Sequence, residues 1–323
     1  MEEETMNIFP FEKEMDNSSI LYMLEKWITT PELKTLVQSF GGNIQTEGTI
    51  VEQIHRLIKF SDIWNFRKKQ SAADIKTAKW AIVNEGLSSE QEELTLAAAR
   101  KLGLIGCTTP SHKKYDYIIV LGGAGMSCLF QMKYAKEICD KYDISTPNIV
   151  GLAGMRGIME SERSATDTYA PNAKTEFDLM KAALWKVFGS PGLKKEENMS
   201  ETTNKLCVTE CYVGNVSVTL LAAPSGELER HRTNTADTFA FFMKQLEVGC
   251  GINLLLVTSQ IYVPYQQLEA IRILGIPYNH SIETIGFPSE WSAGLQGLQK
   301  TENYLQEIRS VLQSIGRLLD ELK

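Results

Sequence analysis

An α/β fold with a mostly parallel sheet is what this sequence predicts, and three observations carry the prediction. From Tyr115 onward, short apolar runs alternate with amphipathic stretches, the pattern of strands buried on both faces and of helices covering them. The runs end in glycines or small polar residues, where such folds turn from strand to helix. Before Tyr115 the apolar residues recur at helical rather than alternating spacing. The expectation is a three-layer α/β sandwich over residues 111–323 with a long C-terminal helix, preceded by a helical subdomain over residues 1–110.

The helical lead-in is read element by element. "SSILYMLEKWI" puts Ile20, Leu24, Trp27 and Ile28 on one face behind a serine cap. Pro31 opens a second helix that stops at Gly41 and Gly42. "TIVEQIHRLIKF" spaces Ile50, Ile54, Leu57 and Ile58 as one stripe, and "SSEQEELTLAAARKLGLIG" starts with a capping box from Ser89 to Glu92. Arg67, Lys68 and Lys69 read as a solvated basic face.

Next come "YIIVLGG", the helix "MSCLFQMKYAKEICDKY" and the strand "NIVGLAG". "TEFDLMKAALWKVFG" turns Phe177, Met180, Leu184 and Val187 to one side. "LCVTECYV" and "VSVTLLAA" form a hairpin through Gly214-Asn215, whereas "GSPGLKKEENMSETTNK" reads as an exposed connection. "NTADTFAFFMKQLEVG", "NLLLVTS", "PYQQLEAIRILG" and "YNHSIETIG" continue the alternation. The tail carries Tyr304, Ile308, Val311, Ile315, Leu318 and Leu322 at helical spacing, for packing against the domain or for a homodimer contact.

Composition narrows the function classes. Apolar residues make up 43% and charged residues 23% of 323, ordinary for a globular protein. A net charge of −7 argues against nucleic acid or an anionic membrane as partner. The acidic start lacks the pattern of a signal peptide, and no apolar run approaches a membrane span. Six scattered cysteines fit reduced thiols in a cytoplasm, the predicted location. Cys207 and Cys211 lack a second pair, and the four histidines carry no metal spacing, so no metal site is expected.

Open parallel sheets bind ligands beyond the carboxyl ends of their strands, where helix N-termini point partial positive charge. Gly122, Gly123, Gly125 and Ser127 follow the first strand, but Cys128 stands where a dinucleotide fingerprint needs its third glycine. Cys128 reads as a buried small residue rather than an activated thiol. Arg156 follows the second strand and offers a planar fork to a phosphate or carboxylate, in a polar loop, 154–173, long enough to act as a lid. Glu176 opens a helix, where a carboxylate is favoured even with no ligand. Asn234 is a helix cap in the polar stretch "ERHRTNTADTF" with His231, Arg232 and Thr235.

Taken together, "IIVLGG", an "LAG" strand, "TEFDLM", "NTADT" and "LLLVTS" resemble the YdcF/SanA-type family, a domain of unknown function, and its soluble YdcF branch in particular. The resemblance covers residues 115–285. It implies a Rossmann-like fold and ligand-edge positions at Gly122, Gly123, Glu176, Asn234, Thr235, Thr258 and Ser259. It also implies S-adenosylmethionine as a ligand, a property linked to one branch. Two positions depart from the family pattern: Ala153 replaces a glycine, and Tyr262 and Tyr265 stand where a histidine and an arginine are usual.

Three functions follow as expectations. The first is binding of a small anionic or nucleotide-like ligand at the strand ends, with Arg156 and Arg232 pairing with charge. The second is a hydrolase or transferase acting on a phosphate-bearing substrate, with Glu176 or His231 carrying the proton. The third is a non-enzymatic module that uses its last helix to recruit a partner. Whether a reaction is catalysed stays open at this point.

Overall fold

The computed structural model describes residues 4–5, 8–44, 47–66, 86–189, 192–199, 206–224, 233–288, 290–291 and 299–323. Arg67–Lys69, His231 and Arg232 lie outside these residues. In chain order the elements are β1 (Glu4–Thr5), α1 (Asn17–Ile28), α2 (Pro31–Ser39), α3 (Ile50–Phe60), α4 (Ser89–Lys101), β2 (Cys107–Thr108) and β3 (Tyr117–Leu121). Then follow α5 (Ser127–Tyr142), β4 (Asn148–Ala153), α6 (Glu160–Thr166), α7 (Glu176–Phe188), β5 (Gly192–Met199), β6 (Leu206–Val213) and β7 (Val216–Ala222). The chain continues with α8 (Thr235–Gln245), β8 (Asn253–Ser259), α9 (Val263–Ala270), α10 (Ile276–Tyr278) and β9 (Ser281–Phe287), and the last helix is α11 (Thr301–Glu321).

Among the described residues the main sheet has seven strands in the order β5-β6-β7-β4-β3-β8-β9. From β7 to β9 every neighbouring pair is parallel, and β6 runs antiparallel to β5 and β7. The chain lays β4 and then β7 on one side of β3 and places β8 and β9 on the other, so the order reverses between β3 and β8.

Alternation along each strand separates two apolar cores. Ile118, Val120, Ile149, Leu255, Val257 and Ile285 pack with the helices α5 and α7. Ile119, Leu121, Val150, Leu152, Leu254, Leu256 and Ile282 pack with α8, α9 and α11, and α1 to α4 join this same core. The sequence-predicted α/β class with a mostly parallel sheet is therefore what the chain adopts. The N-terminal helices share their core with one face of the sheet.

Three local expectations need correction. The segment read as an exposed connection contains β5, an edge strand paired antiparallel with β6. Its Lys-Lys-Glu-Glu run hides the strand signal, because charged residues are depleted in strands yet favoured on edges. The capping box of α4 is Ser88 with Gln91, one residue earlier than the spacing suggested. The homodimer reading of the last helix gains no support, because its apolar stripe, including Tyr304, Ile308, Val311, Ile315 and Leu318, is buried inside this chain. The hairpin at Gly214-Asn215 does join β6 to β7, with Gly214 at φ +60°. No helix among the described residues is long and apolar enough to cross a membrane.

His280, just before β9, is fully buried; its ring stacks on Tyr278 and Nδ1 accepts from the Ile252 amide at 3.3 Å. Burial lowers its pKa to about 4, against a smaller upward pull from Asp116. The unfolded chain takes up this proton near pH 6.5 and the folded chain does so only near pH 4. Stability is thus fully present above pH 6.5 and falls as pH drops toward 4, by an amount of order 2–3 kcal/mol. Urea unfolding at pH 7 and pH 4.5 should show a smaller pH-dependent loss in His280→Asn than in the wild type; equal losses would remove His280 as the cause.

Candidate functional site

The strand ends of β3, β4 and β7 meet above two adjacent glycines. After Leu121 the chain turns through Gly122–Met126 into α5, with Gly125 at φ +60°. A Cβ on Gly122 would lie 2.4 Å from Glu176 Oε1 and 2.8 Å from the Leu152 carbonyl oxygen. Only glycine fits there, because the backbone of β4, at the Leu152 carbonyl and the Ala153 Cα, leaves no room for a Cβ.

Glu176 is placed by a helix start. Thr175 accepts from the Asp178 amide, and the Asp178 carboxylate accepts from the Thr175 amide at 2.9 Å, closing a capping box. The loop before it is tied to β4, since the Glu176 amide donates to the Arg156 carbonyl at 2.9 Å and the Phe177 amide to the Gly154 carbonyl at 3.1 Å. Glu176 Oε1 accepts in turn from the Gly154 amide at 3.2 Å.

Arg156 lies between two carboxylates. Its Nε donates to Glu176 Oε2 at 3.1 Å, and its two terminal nitrogens donate to Glu162 at 2.8 and 3.1 Å. Burial works to lower the guanidinium pKa, but the bonds and charges of Glu162 and Glu176 outweigh it and hold the pKa above its ordinary value. Glu162 also accepts from the Gly125 amide at 3.1 Å and the Met159 amide at 2.8 Å, which fills its four acceptor positions. Of the described residues, only Gly154 and Arg156 donate to Glu176, which leaves half its acceptor capacity open.

These contacts correct two expectations for the 154–173 loop. Arg156 does not offer a free fork to an anion; two acids saturate most of its donors. Nor is the loop a loose lid. It contains α6, and the Tyr169 hydroxyl donates to the Gly125 carbonyl at 3.1 Å while Arg163 donates to the Ala173 carbonyl at 2.8 Å.

The remaining expected residues fall around this centre. Asn234 caps α8 through the Asp237 amide at 2.8 Å and is exposed, with Thr235 half-buried beside it. Thr258 is buried and Ser259 half-buried at the end of β8, on the other side of β3. Ser127 lies in the first turn of α5 without making a side-chain cap, since Met126 occupies the cap position. Cys128 is fully buried and donates to the Gly123 carbonyl at 3.3 Å, and burial drives its pKa far up, so it is a packed residue and no nucleophile.

Sequence reasoning missed Glu162 and Gln131, and it had Thr233 only as a member of the polar stretch before α8. Thr233 Oγ1 donates to the Ala223 carbonyl at 3.1 Å and stands 3.5 Å from where a Gly154 Cβ would be. Gln131 lies under Gly123. Glu162 was findable as an acid six residues beyond Arg156 in the same polar loop. No three His, Cys, Asp or Glu side chains among the described residues come together as a metal site. A groove of about 180 Å³ lies at the opposite edge of the sheet, lined by Tyr117, Asn148, Thr219, Tyr212 and Leu246, away from these residues.

With this geometry in hand, comparison with known proteins gives a different relationship from the resemblance above. Residues 11–103 match the model of the Rv3785 N-terminal domain. The chain is 29% identical over 328 residues to the uncharacterized protein Rv3785 of Mycobacterium tuberculosis (strain H37Rv), covering 95% of this chain and 91% of that one. The uncharacterized protein Mb3814 of Mycobacterium bovis matches to the same extent. No solved structure matches. The resemblance to the YdcF/SanA family is therefore withdrawn, and S-adenosylmethionine, which rested on it, goes with it. Its motifs were paired glycines, helix caps and polar strand ends, features that turn-and-cap chemistry produces in any open parallel sheet. The departures at Ala153, Tyr262 and Tyr265 were the warning. This chain's similarity runs to the Rv3785-type proteins, over nearly its whole length.

Proposed function

We propose that the sheet is Rossmann-like and that the protein binds a small anionic or nucleotide-like ligand across the carboxyl ends of β3, β4, β7 and β8. The parallel strands, numbered as the chain lays them down, stand in the order third, second, first, fourth, fifth, and ligands of such sheets sit where that order reverses. The observation that carries the reading is Glu176. It is held rigidly over Gly122, it is anchored on one side by Arg156, and it keeps open acceptor positions at the mouth of the strand ends.

Bond counting sets the orientation. Two carboxylates against one guanidinium leave the centre with one negative charge, so the ligand presents hydroxyl or amine donors to Glu176. Its anionic part belongs at the helix starts of α5 and α8, where the macrodipole and unpaired amides favour negative charge.

Calorimetry and thermal shift over a panel of nucleotides and phosphoesters test this. Binding should weaken about 10- to 100-fold in Glu176→Ala, the size expected for a hydrogen bond to a charged group. A smaller loss is expected in Asn234→Ala. Hits that ignore both substitutions would place the ligand elsewhere.

A further inference from the structure

The groove at the other end of the sheet is built from strand register. It offers about 180 Å³ where β3, β4 and β7 begin, and Leu246, at the end of α8, forms one of its walls. Asn148 on β4 stands opposite Ser217 on β7, which stands opposite Tyr212 on β6. Two positions along, Val150 stands opposite Thr219, and Thr219 opposite Glu210. Alternate residues of a strand share a face, so these six side chains form two rows on one side of the sheet. Tyr117 on β3 extends the first row. With strands about 4.8 Å apart, that row runs roughly 14 Å from Tyr117 to Tyr212. Farther along the same strands this face is apolar, with Leu152, Val208 and Leu221 in the core, and it turns polar only at the groove.

Several of these polar groups have no partner among the described residues. Thr219 lines the groove and is 7% exposed, yet its hydroxyl makes no hydrogen bond there. A hydroxyl so far buried is normally paired, and the groove is the open side from which a partner can come. The half-buried Ser217, two residues earlier on the same face, is in the same position. Asn148 donates its amide to the Asp116 carbonyl at 3.1 Å and keeps its oxygen as an acceptor. The Tyr117 ring is fixed edge-on against Phe242, with centroids 5.4 Å apart. Burial, helped by the charge of Asp116, raises its pKa and keeps the hydroxyl protonated as a donor. Tyr212, 47% exposed, forms the opposite rim.

The chemistry of this set is neutral and two-way. Its hydroxyls both donate and accept, which matches a ligand whose own groups do both. The C–H faces of a sugar ring suit the two tyrosine rings. A phosphate or carboxylate does not fit, because no Lys, Arg or His is among the described lining residues and Glu210 would repel it. We propose that the groove is a second ligand site, independent of the strand-end site, and that it takes an uncharged sugar. The volume agrees: at about 30 Å³ per water it equals about six waters, the scale of one sugar ring.

NMR titration of the full chain with methyl glucoside, maltose and glucose 6-phosphate tests the proposal. Wild type should bind both neutral sugars, and the phosphate more weakly through this groove. Thr219→Val and Ser217→Ala should each weaken sugar binding about 2- to 10-fold, the net worth of a neutral hydrogen bond. Tyr212→Ala should cost at least as much by removing a wall. The unfolding midpoint of unliganded Thr219→Val should not fall, since the hydroxyl has no partner to lose. Tighter binding of maltose would support two rings along the row, and equal affinity one. No binding of either neutral sugar would mean that the groove holds water only and would overturn the proposal. So would affinities unchanged in all three variants, or glucose 6-phosphate binding more tightly than the glucoside in a Thr219-dependent way. Should Thr219→Val fail to fold, Ser217→Ala and Tyr212→Ala carry the same decision.

Discussion

Removing residues 301–323 should unfold the protein rather than change its oligomeric state. The last helix buries Tyr304, Leu305, Ile308, Val311, Leu312, Ile315, Leu318 and Leu319 in the core shared with one face of the sheet. Each fully buried apolar side chain of this size is worth about 1.5–3 kcal/mol, so the eight together, about 12–24 kcal/mol, match or exceed the ~5–15 kcal/mol net stability of an ordinary domain. Polar contacts fix the register: Glu269, buried on α9, accepts from Ser314 and from Arg317 at 2.7 Å, and Arg309 reaches Asp62 at 2.9 Å. Circular dichroism and urea titration of the truncated chain should show no cooperative transition. A chain that keeps a cooperative transition and only changes mass in solution would restore the helix as an assembly handle. Leu312→Ala alone should cost about 2–5 kcal/mol, the usual range for a buried leucine.

The same helix shows what a sequence can and cannot convey. Its apolar stripe was legible in outline, because helical spacing survives in any context, although the reading left out Leu305, Leu312 and Leu319, which are buried, and included Leu322, which is half-buried. Its partner was not, because the same stripe serves an internal core or a second molecule equally well. Strand order was likewise implicit only as alternation; the reversal between β3 and β8 depends on where each helix packs. β5 went unread because its charges suit an edge and mask the pattern.

At the strand ends the individual positions were legible and their relationships were not. Gly122, Arg156 and Glu176 were each picked out by location after a strand or at a helix start. That Glu176 lies on Gly122, and that Arg156 turns inward to Glu162, follows from the path of the 154–173 loop and of α6. No local propensity encodes that path. Gln131 escaped notice for a related reason, since a glutamine on an amphipathic helix looks solvated until its burial is known.

The inward turn of Arg156 leads to the second large effect. Arg156→Met should destabilise the fold by about 3–5 kcal/mol, because it leaves two acids facing each other without their counter-ion. Glu162 has a side chain 1% exposed and Glu176 one 13% exposed, so water cannot take over what the guanidinium supplies. The damage has a definite route. Glu162 holds the Gly125 and Met159 amides, so its displacement loosens both the glycine turn and the start of α6. Limited proteolysis should therefore cut within residues 154–173 before the rest of the chain. Adding Glu162→Gln to Arg156→Met removes one of the stranded charges and should recover part of the stability; the size of that recovery, read from urea midpoints, measures the coupling. If Arg156→Met costs less than 1 kcal/mol, the ion pairs behave like exposed surface pairs. The centre is then not the rigid frame that holds Glu176 over Gly122, and the ligand site built on that frame loses its support.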